Sequence, residues 1–150
     1  MISPHPIFRI HAALADILSV GCTPLGERRM IQILEGRVEG AKLNGRILPG
    51  GADWQIIRTD GAADVQARYV IEAEGGARVL VSSDGLRHGP PDVMAQLAAG
   101  QPVAPELYYF RTVMRFETAE PSLDWLNRIL ALARGVREPR AVRLDVYEVL

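Results

Sequence analysis

At 150 residues, 48% hydrophobic and 23% charged, the chain has globular composition and is long enough for one domain with its own core. A net charge of −1 gives no field to recruit nucleic acid or an anionic membrane, and no run approaches the roughly 20 apolar residues of a membrane span. A single cysteine, Cys22, excludes an internal disulfide and a thiolate metal cluster. The run from Ile17 to Cys22 faintly suggests a lipoprotein cleavage site. Arg9, His11 and Asp16 interrupt its apolar character, and no basic leader comes before it. The expectation is a soluble, cytoplasmic protein. Its basic side is almost all arginine, Lys42 being the only lysine, which fits either coding bias or a few arginines set to recognise carboxylate or phosphate.

In chain order, residues 1–6 carry Pro4 and Pro6 and read as an arm, followed by a first strand from Ile7 to Leu14 and a turn at Thr23-Pro24-Leu25-Gly26. Arg28 to Glu39 alternates as a long strand, with Gly36 and Gly40 suited to bulges or close backbone approach. Asn44-Gly45 reads as a two-residue hairpin turn, and Pro49-Gly50-Gly51 as a sharp corner that delivers Asp53 and Trp54. Trp54 to Arg58 is a short strand ending at Asp60-Gly61. Runs 65–74 and 77–81 flank Gly75-Gly76 as a hairpin, and Ser83 to Pro91 reads as a loop. Asp92 to Ala99 is the helix candidate, led in by Pro90-Pro91 and stopped by Gly100.

Tyr108 to Thr118 returns to strand, with Tyr108, Phe110, Met114 and Phe116 on one face and Tyr109, Arg111, Val113 and Arg115 on the other. Pro121 to Asn127 forms a helical turn, and Arg128 to Arg134 and Val142 to Val149 close the fold. Short strands between turns, with one helix around 92–99, predict a mainly β domain over residues 1–150, an antiparallel barrel or sandwich.

The runs LEGRVEGAKLNGRILPGGADWQIIR, DVQARYVIEAEGGARV, GLRHGPPDVMAQLAAG, YYFRTVMRFET and WLNRIL, in that order, resemble the domain-of-unknown-function 3237 family of small bacterial and fungal proteins. The resemblance implies a calycin-like, lipocalin-like antiparallel β-barrel with an interior cavity, and supplies no activity. The family's Pro-Gly-Gly-x-Asp-Trp falls on Pro49, Gly50, Gly51, Asp53 and Trp54. Its Ala-Arg-Tyr falls on Ala67, Arg68 and Tyr69, and its Tyr-Phe-Arg-Thr on Tyr109 to Thr112.

Four residues are the catalytic candidates. Asp53 beside Trp54 would be a carboxylate raised toward neutrality by an apolar pocket, or else a cap on its own glycine turn. Tyr69 and Tyr109 would donate hydrogen bonds. Arg111, sharing a face with Tyr109, would stabilise a developing oxyanion if that face lines the cavity, or solvate the sheet if it does not. Trp54, Arg68, His88 and Trp125 are the candidate ligand contacts. Arg68 has a competing role as partner of Glu72, His88 as an exposed loop residue, and Trp125 as the closure of one barrel end. The histidines lack metal-ligand spacing, and there is no phosphate-binding glycine loop or serine nucleophile elbow, so neither metal nor cofactor is expected. The leading expectation is a cofactor-independent isomerase, lyase or cyclase acting on a small apolar or aromatic carbonyl or carboxylate compound. The alternatives are a non-catalytic carrier and a structural homo-oligomer burying aromatic surface such as Tyr108 and Phe110. No nucleic-acid or membrane partner is expected.

Overall fold

The computed structural model describes all 150 residues, Met1–Leu150. Nine antiparallel strands form one sheet: β1 (Phe8–Thr23), β2 (Gly26–Glu39), β3 (Gly45–Ile47), β4 (Gly51–Ile57), β5 (Ala63–Ala73), β6 (Arg78–His88), β7 (Tyr109–Thr118), β8 (Ala131–Glu138) and β9 (Ala141–Glu148). Each strand pairs with the next except β3 and β4, which each pair with β2 and β5 instead, and β9 returns to β1. Strands β3 and β4 both lie between β2 and β5 and together fill one position, so nine strands make a closed eight-stranded barrel. Closure leaves no long open edge around the barrel wall. No helix is long and apolar enough to cross a membrane.

The Pro49-Gly50-Gly51 corner divides that shared position. Gly50 has φ +113, in the region that favours glycine, and a Cβ on Gly51 would lie 2.5 Å from Tyr69 Cβ. The chain can therefore bend there and still lie flat against β5. The expected Asn44-Gly45 turn is different in the structure. Gly45 already pairs with Val38 at the start of β3, and the connection spans residues 40–44. Asn44 holds that loop by accepting from the Gly40 amide and donating to the Gly40 carbonyl. Gly45 is small because a Cβ would lie 2.3 Å from the Glu72 carbonyl oxygen, not because the turn needs positive φ.

Three strands run further than their sequence pattern indicates, among them β8, which passes the expected end at Arg134 and continues to Glu138. Strand β1 continues to Thr23, and beyond Ala13 it pairs with β2 alone, forming a ribbon beside one barrel end. Strand β6 runs through the expected 83–91 loop to His88, because the turn-forming residues Ser82 to Gly85 are held in the ladder opposite β5 and β7. The helix α1 (Pro91–Ala98) and the 3-10 helix Pro121–Arg128 stand where the sequence places helical structure.

Side chains facing inward divide the barrel into two ends. At one end Phe8 meets Phe116 edge to face at 5.7 Å, and Leu123 and Leu126 of the 3-10 helix plug the opening. Half-buried Trp125 packs against this plug with the Lys42 ammonium 5.2 Å above its ring. At the other end α1 lays Val93 over Ala63, Val65, Tyr108 and Phe110. Tyr108 and Phe110 are thus core residues of this chain and are not available as an oligomer surface.

Candidate functional site

Between the two ends the inward positions turn polar. Period-two alternation along β4 sends Asp53 and Gln55 inward and leaves Trp54 outside, 47% exposed. The same alternation brings in Tyr69 from β5, Ser83 and Arg87 from β6, Thr112 from β7 and Arg137 from β8. These line an inner cavity of about 50 Å³, completed by apolar residues including Ile10, Leu14, Ile33, Val65, Phe110 and Leu144. Arg87, Arg137 and Leu14 also line an outer chamber of about 530 Å³ at the barrel mouth. There the β1–β2 ribbon contributes Ile17, Glu27, Arg29 and Ile31, and α1 contributes Met94 and Leu97. The two arginines form a neck between a roomy, open chamber and a small polar recess.

Hydrogen bonding in the recess is incomplete. Asp53 Oδ2 accepts from Gln55 Nε2 at 2.7 Å, and Oδ1 accepts from the Gln66 amide at 3.0 Å. The carboxyl is therefore fixed by β4 and β5, and does not cap the glycine corner. By contrast, Gln55 Oε1, Tyr69 Oη, Thr112 Oγ1 and Arg87 Nε are all buried without a partner. Four unpaired polar atoms around one small cavity are unusual, since an unmet buried group costs about 1–3 kcal/mol. A bound molecule with matching atoms would relieve that cost.

Burial also shifts the titration of these groups. Desolvation raises the Asp53 carboxyl above its ordinary value, against the opposing pull of the Gln55 hydrogen bond and the Arg87 charge. The Tyr69 phenol is pushed far up by burial, with a smaller contribution from the Asp53 charge. It is thus a donor, and not a base, at any physiological pH. Burial, with Arg137 adding to it, lowers the Arg87 guanidinium from 12.5 to about 10, so it stays charged at neutrality. Arg137 is lowered for the same leading reason.

The sequence-derived candidates thus separate. Asp53 and Tyr69 come together in the recess. Tyr109 and Arg111 lie on the outer face of β7, because Tyr108, Phe110, Thr112, Met114 and Phe116 take the inner one. Tyr109 stacks on exposed His88 at 5.0 Å, and the Arg111 guanidinium lies 5.3 Å from the Tyr109 ring. Arg68 is also outside, pairing with Asp84 at 3.0 Å, while Glu72 is taken by Arg46 and Arg78. Trp125 belongs to the closed end. Gln55, Ser83, Arg87, Thr112 and Arg137 are lining residues that the sequence reading does not single out. Their signal is present in the inward spacing Val79, Val81, Ser83, Arg87 and Ala131, Ala133, Gly135, Arg137. No three His, Cys, Asp or Glu side chains cluster closely enough to hold a metal ion.

Residues 3–149 match the family described as protein of unknown function (DUF3237). The chain belongs to this family. It is 42% identical over 144 residues to a UPF0311 protein of Rhodopseudomonas palustris strain TIE-1, covering 96% of this chain and 94% of that protein. The crystal structure of the conserved protein of unknown function RPA1785 from Rhodopseudomonas palustris superposes with a TM-score of 0.96 at 39% identity, covering 100% of this chain and 99% of that one. A protein described as an enzyme from Penicillium herquei shares the fold at a TM-score of 0.68 and 16% identity, over 96% of this chain and 97% of that one. At that identity the likeness concerns the barrel alone.

Proposed function

We propose that this member of the DUF3237 family is a cofactor-independent enzyme that moves a proton on a small apolar or aromatic carbonyl or carboxylate compound bound through the barrel mouth. The observation that carries the reading is the recess itself, where a desolvated carboxyl, Asp53, stands among polar atoms that have no partner within the protein. In its ionised form Asp53 takes a proton from the carbon next to the substrate carbonyl. The C–H electron pair moves into the forming C=C bond, and the carbonyl oxygen becomes an enolate oxygen. Tyr69 Oη donates to that oxygen, with the positive Arg87 and Arg137 nearby to favour the charge. Return of the proton to another carbon makes the reaction an isomerisation. Loss of a β-substituent makes it a lyase reaction, and attack on an internal electrophile a cyclisation. A raised Asp53 pKa strengthens it as a base, and a positioned base of this kind contributes on the order of 10²–10⁴-fold in rate.

The test follows deuterium incorporation from D2O into a panel of aromatic ketones and keto acids, with wild-type protein and Asp53→Asn. Exchange by the wild type that falls at least about a hundredfold in Asp53→Asn is expected. Equal exchange by both proteins would remove Asp53 from the mechanism. A second reading, a carrier that releases its ligand unchanged, is favoured by the two N–H bonds that already anchor Asp53. It predicts tight binding with no exchange in either protein.

A further inference from the structure

The mouth of the barrel holds more arginine than its acids can balance. Arg29 is paired with Glu27 at 3.0 Å and Arg140 with Asp16 at 2.7 Å, and Glu138 is shared between His11 and Arg143. Every acid of the chamber is therefore engaged. Arg87 and Arg137, at the neck, have no carboxylate within ion-pair distance. The Arg137 guanidinium donates only to the Ala141 carbonyl, at 3.1 Å. Arg87 is 9% exposed, its Nε is unpartnered, and its guanidinium lies 5.4 Å from the Phe110 ring centroid, with no ion-pair partner for its charge. Burying a guanidinium in this way is costly unless an anion arrives from outside.

Charge balance indicates which anion. Two guanidinium groups face one carboxyl, Asp53, across the recess, so one positive charge is left over when Asp53 is ionised. A monoanion completes the balance, whereas a dianion would leave an excess of negative charge against Asp53. A planar carboxylate also matches the guanidinium fork in bidentate geometry. The apolar side chains of Leu14, Ile17, Ile31, Ile57, Met94 and Leu97 leave the outer chamber suited to the carbon body of such a compound.

We propose that the occupant of this site is an organic monocarboxylate whose carboxylate is held at the neck by Arg87 and Arg137, with its carbon body in the outer chamber. This deepens the proton-transfer reading, on which it rests for the site, by choosing the acid over the neutral carbonyl compound as the substrate class. Carboxylate recognition needs the arginines and not the Asp53 carboxyl, so the two can fail separately.

Titration calorimetry at neutral pH and low salt, with benzoate, its neutral isostere benzamide and inorganic phosphate as probes, tests the assignment. Benzoate should bind at least about tenfold more tightly than benzamide, the size of one charge-assisted hydrogen bond lost, and more tightly than phosphate. Half-buried Arg137 can be replaced with little risk to folding. Arg137→Met should lose about tenfold in benzoate affinity, and Arg137→Lys should recover part of it. The Nε resonance of Arg87 should move with benzoate and not with benzamide. Asp53→Asn should still bind benzoate even if all proton exchange is lost. Benzamide binding within about twofold of benzoate, phosphate binding more tightly, no benzoate binding, or unchanged affinity in Arg137→Met would each overturn the proposal.

Discussion

Tyr69 and Ile71 are neighbours on the inner face of β5, both buried, and they look into opposite halves of the same barrel. Around Ile71 the lining is apolar and the space is filled, from Phe8 and Phe116 down to Leu126. Around Tyr69 the lining mixes a carboxyl, an amide, two hydroxyls and two guanidinium groups, and four of the polar atoms there have no partner. The closed half meets every demand that folding makes of it. The open half leaves demands unmet, and natural proteins keep such costs mainly where a ligand or a reaction repays them. Stability and function are therefore expected to map to different halves.

Substitutions can break that division if it is wrong. The largest effect is expected at the closed end, where Leu126→Ala opens a hole under a fully enclosed side chain. It should lose about 2–5 kcal/mol in denaturant unfolding and leave benzoate binding intact. Gly135→Ala comes next, because a Cβ there would lie 2.6 Å from the Phe110 ring. The ring must shift into the recess it lines, with a loss of about 1–3 kcal/mol and weaker binding together. Arg87→Met is expected to act in the other direction. Removing a buried, unpaired charge should stabilise the protein by about 1–3 kcal/mol while abolishing anion binding.

A smaller and pH-dependent effect is expected at Asp53. Its folded pKa is raised above 3.8, so the protonated group is the one the barrel favours. Its contribution to stability is fully present below pH 3.8 and is lost as pH rises through the folded pKa. Asp53→Asn should therefore match the wild type in acid and exceed it in stability at about pH 7, as followed by thermal unfolding across pH. The hydrogen bonds can survive the change. The new side-chain amide keeps an oxygen for the Gln66 N–H, and its NH2 can donate to Gln55 Oε1, which has no partner in the wild type, once the Gln55 amide turns over. The smallest effect is expected from Tyr109→Phe and Arg111→Gln. These outward residues should change stability and ligand binding by no more than about 0.5 kcal/mol.

Much of the fold was legible because its strands alternate cleanly and its turns carry glycine. The 65–74 and 77–81 runs appear as β5 and β6 around Gly75 and Gly76, both at positive φ. The site was legible only in part. Asp53 and Tyr69 stand where the corner and the β5 pattern place them, but β7 carries aromatic residues on both faces, and alternation alone does not say which face is inside. The decisive contrast is burial, with Thr112 and Met114 enclosed and Arg111 and Arg115 exposed. Arg87 was hidden because Ser82 to Gly85 resemble a turn in isolation, while the ladders on both sides hold them as strand. Arg137 was hidden by the brevity of its alternating run before Pro139. Buried arginine also runs against the usual preference of that residue for water.

Whether the open half desolvates Asp53 for proton transfer is read most directly from the titration of its side-chain carboxyl by carbon NMR in the ligand-free protein. The expected midpoint lies above 3.8 and rises further in Arg87→Met, as the opposing positive charge is removed. A midpoint at or below 3.8 that ignores Arg87 would mean an ordinary, well-hydrated carboxylate, and would leave the proposed reaction without its base.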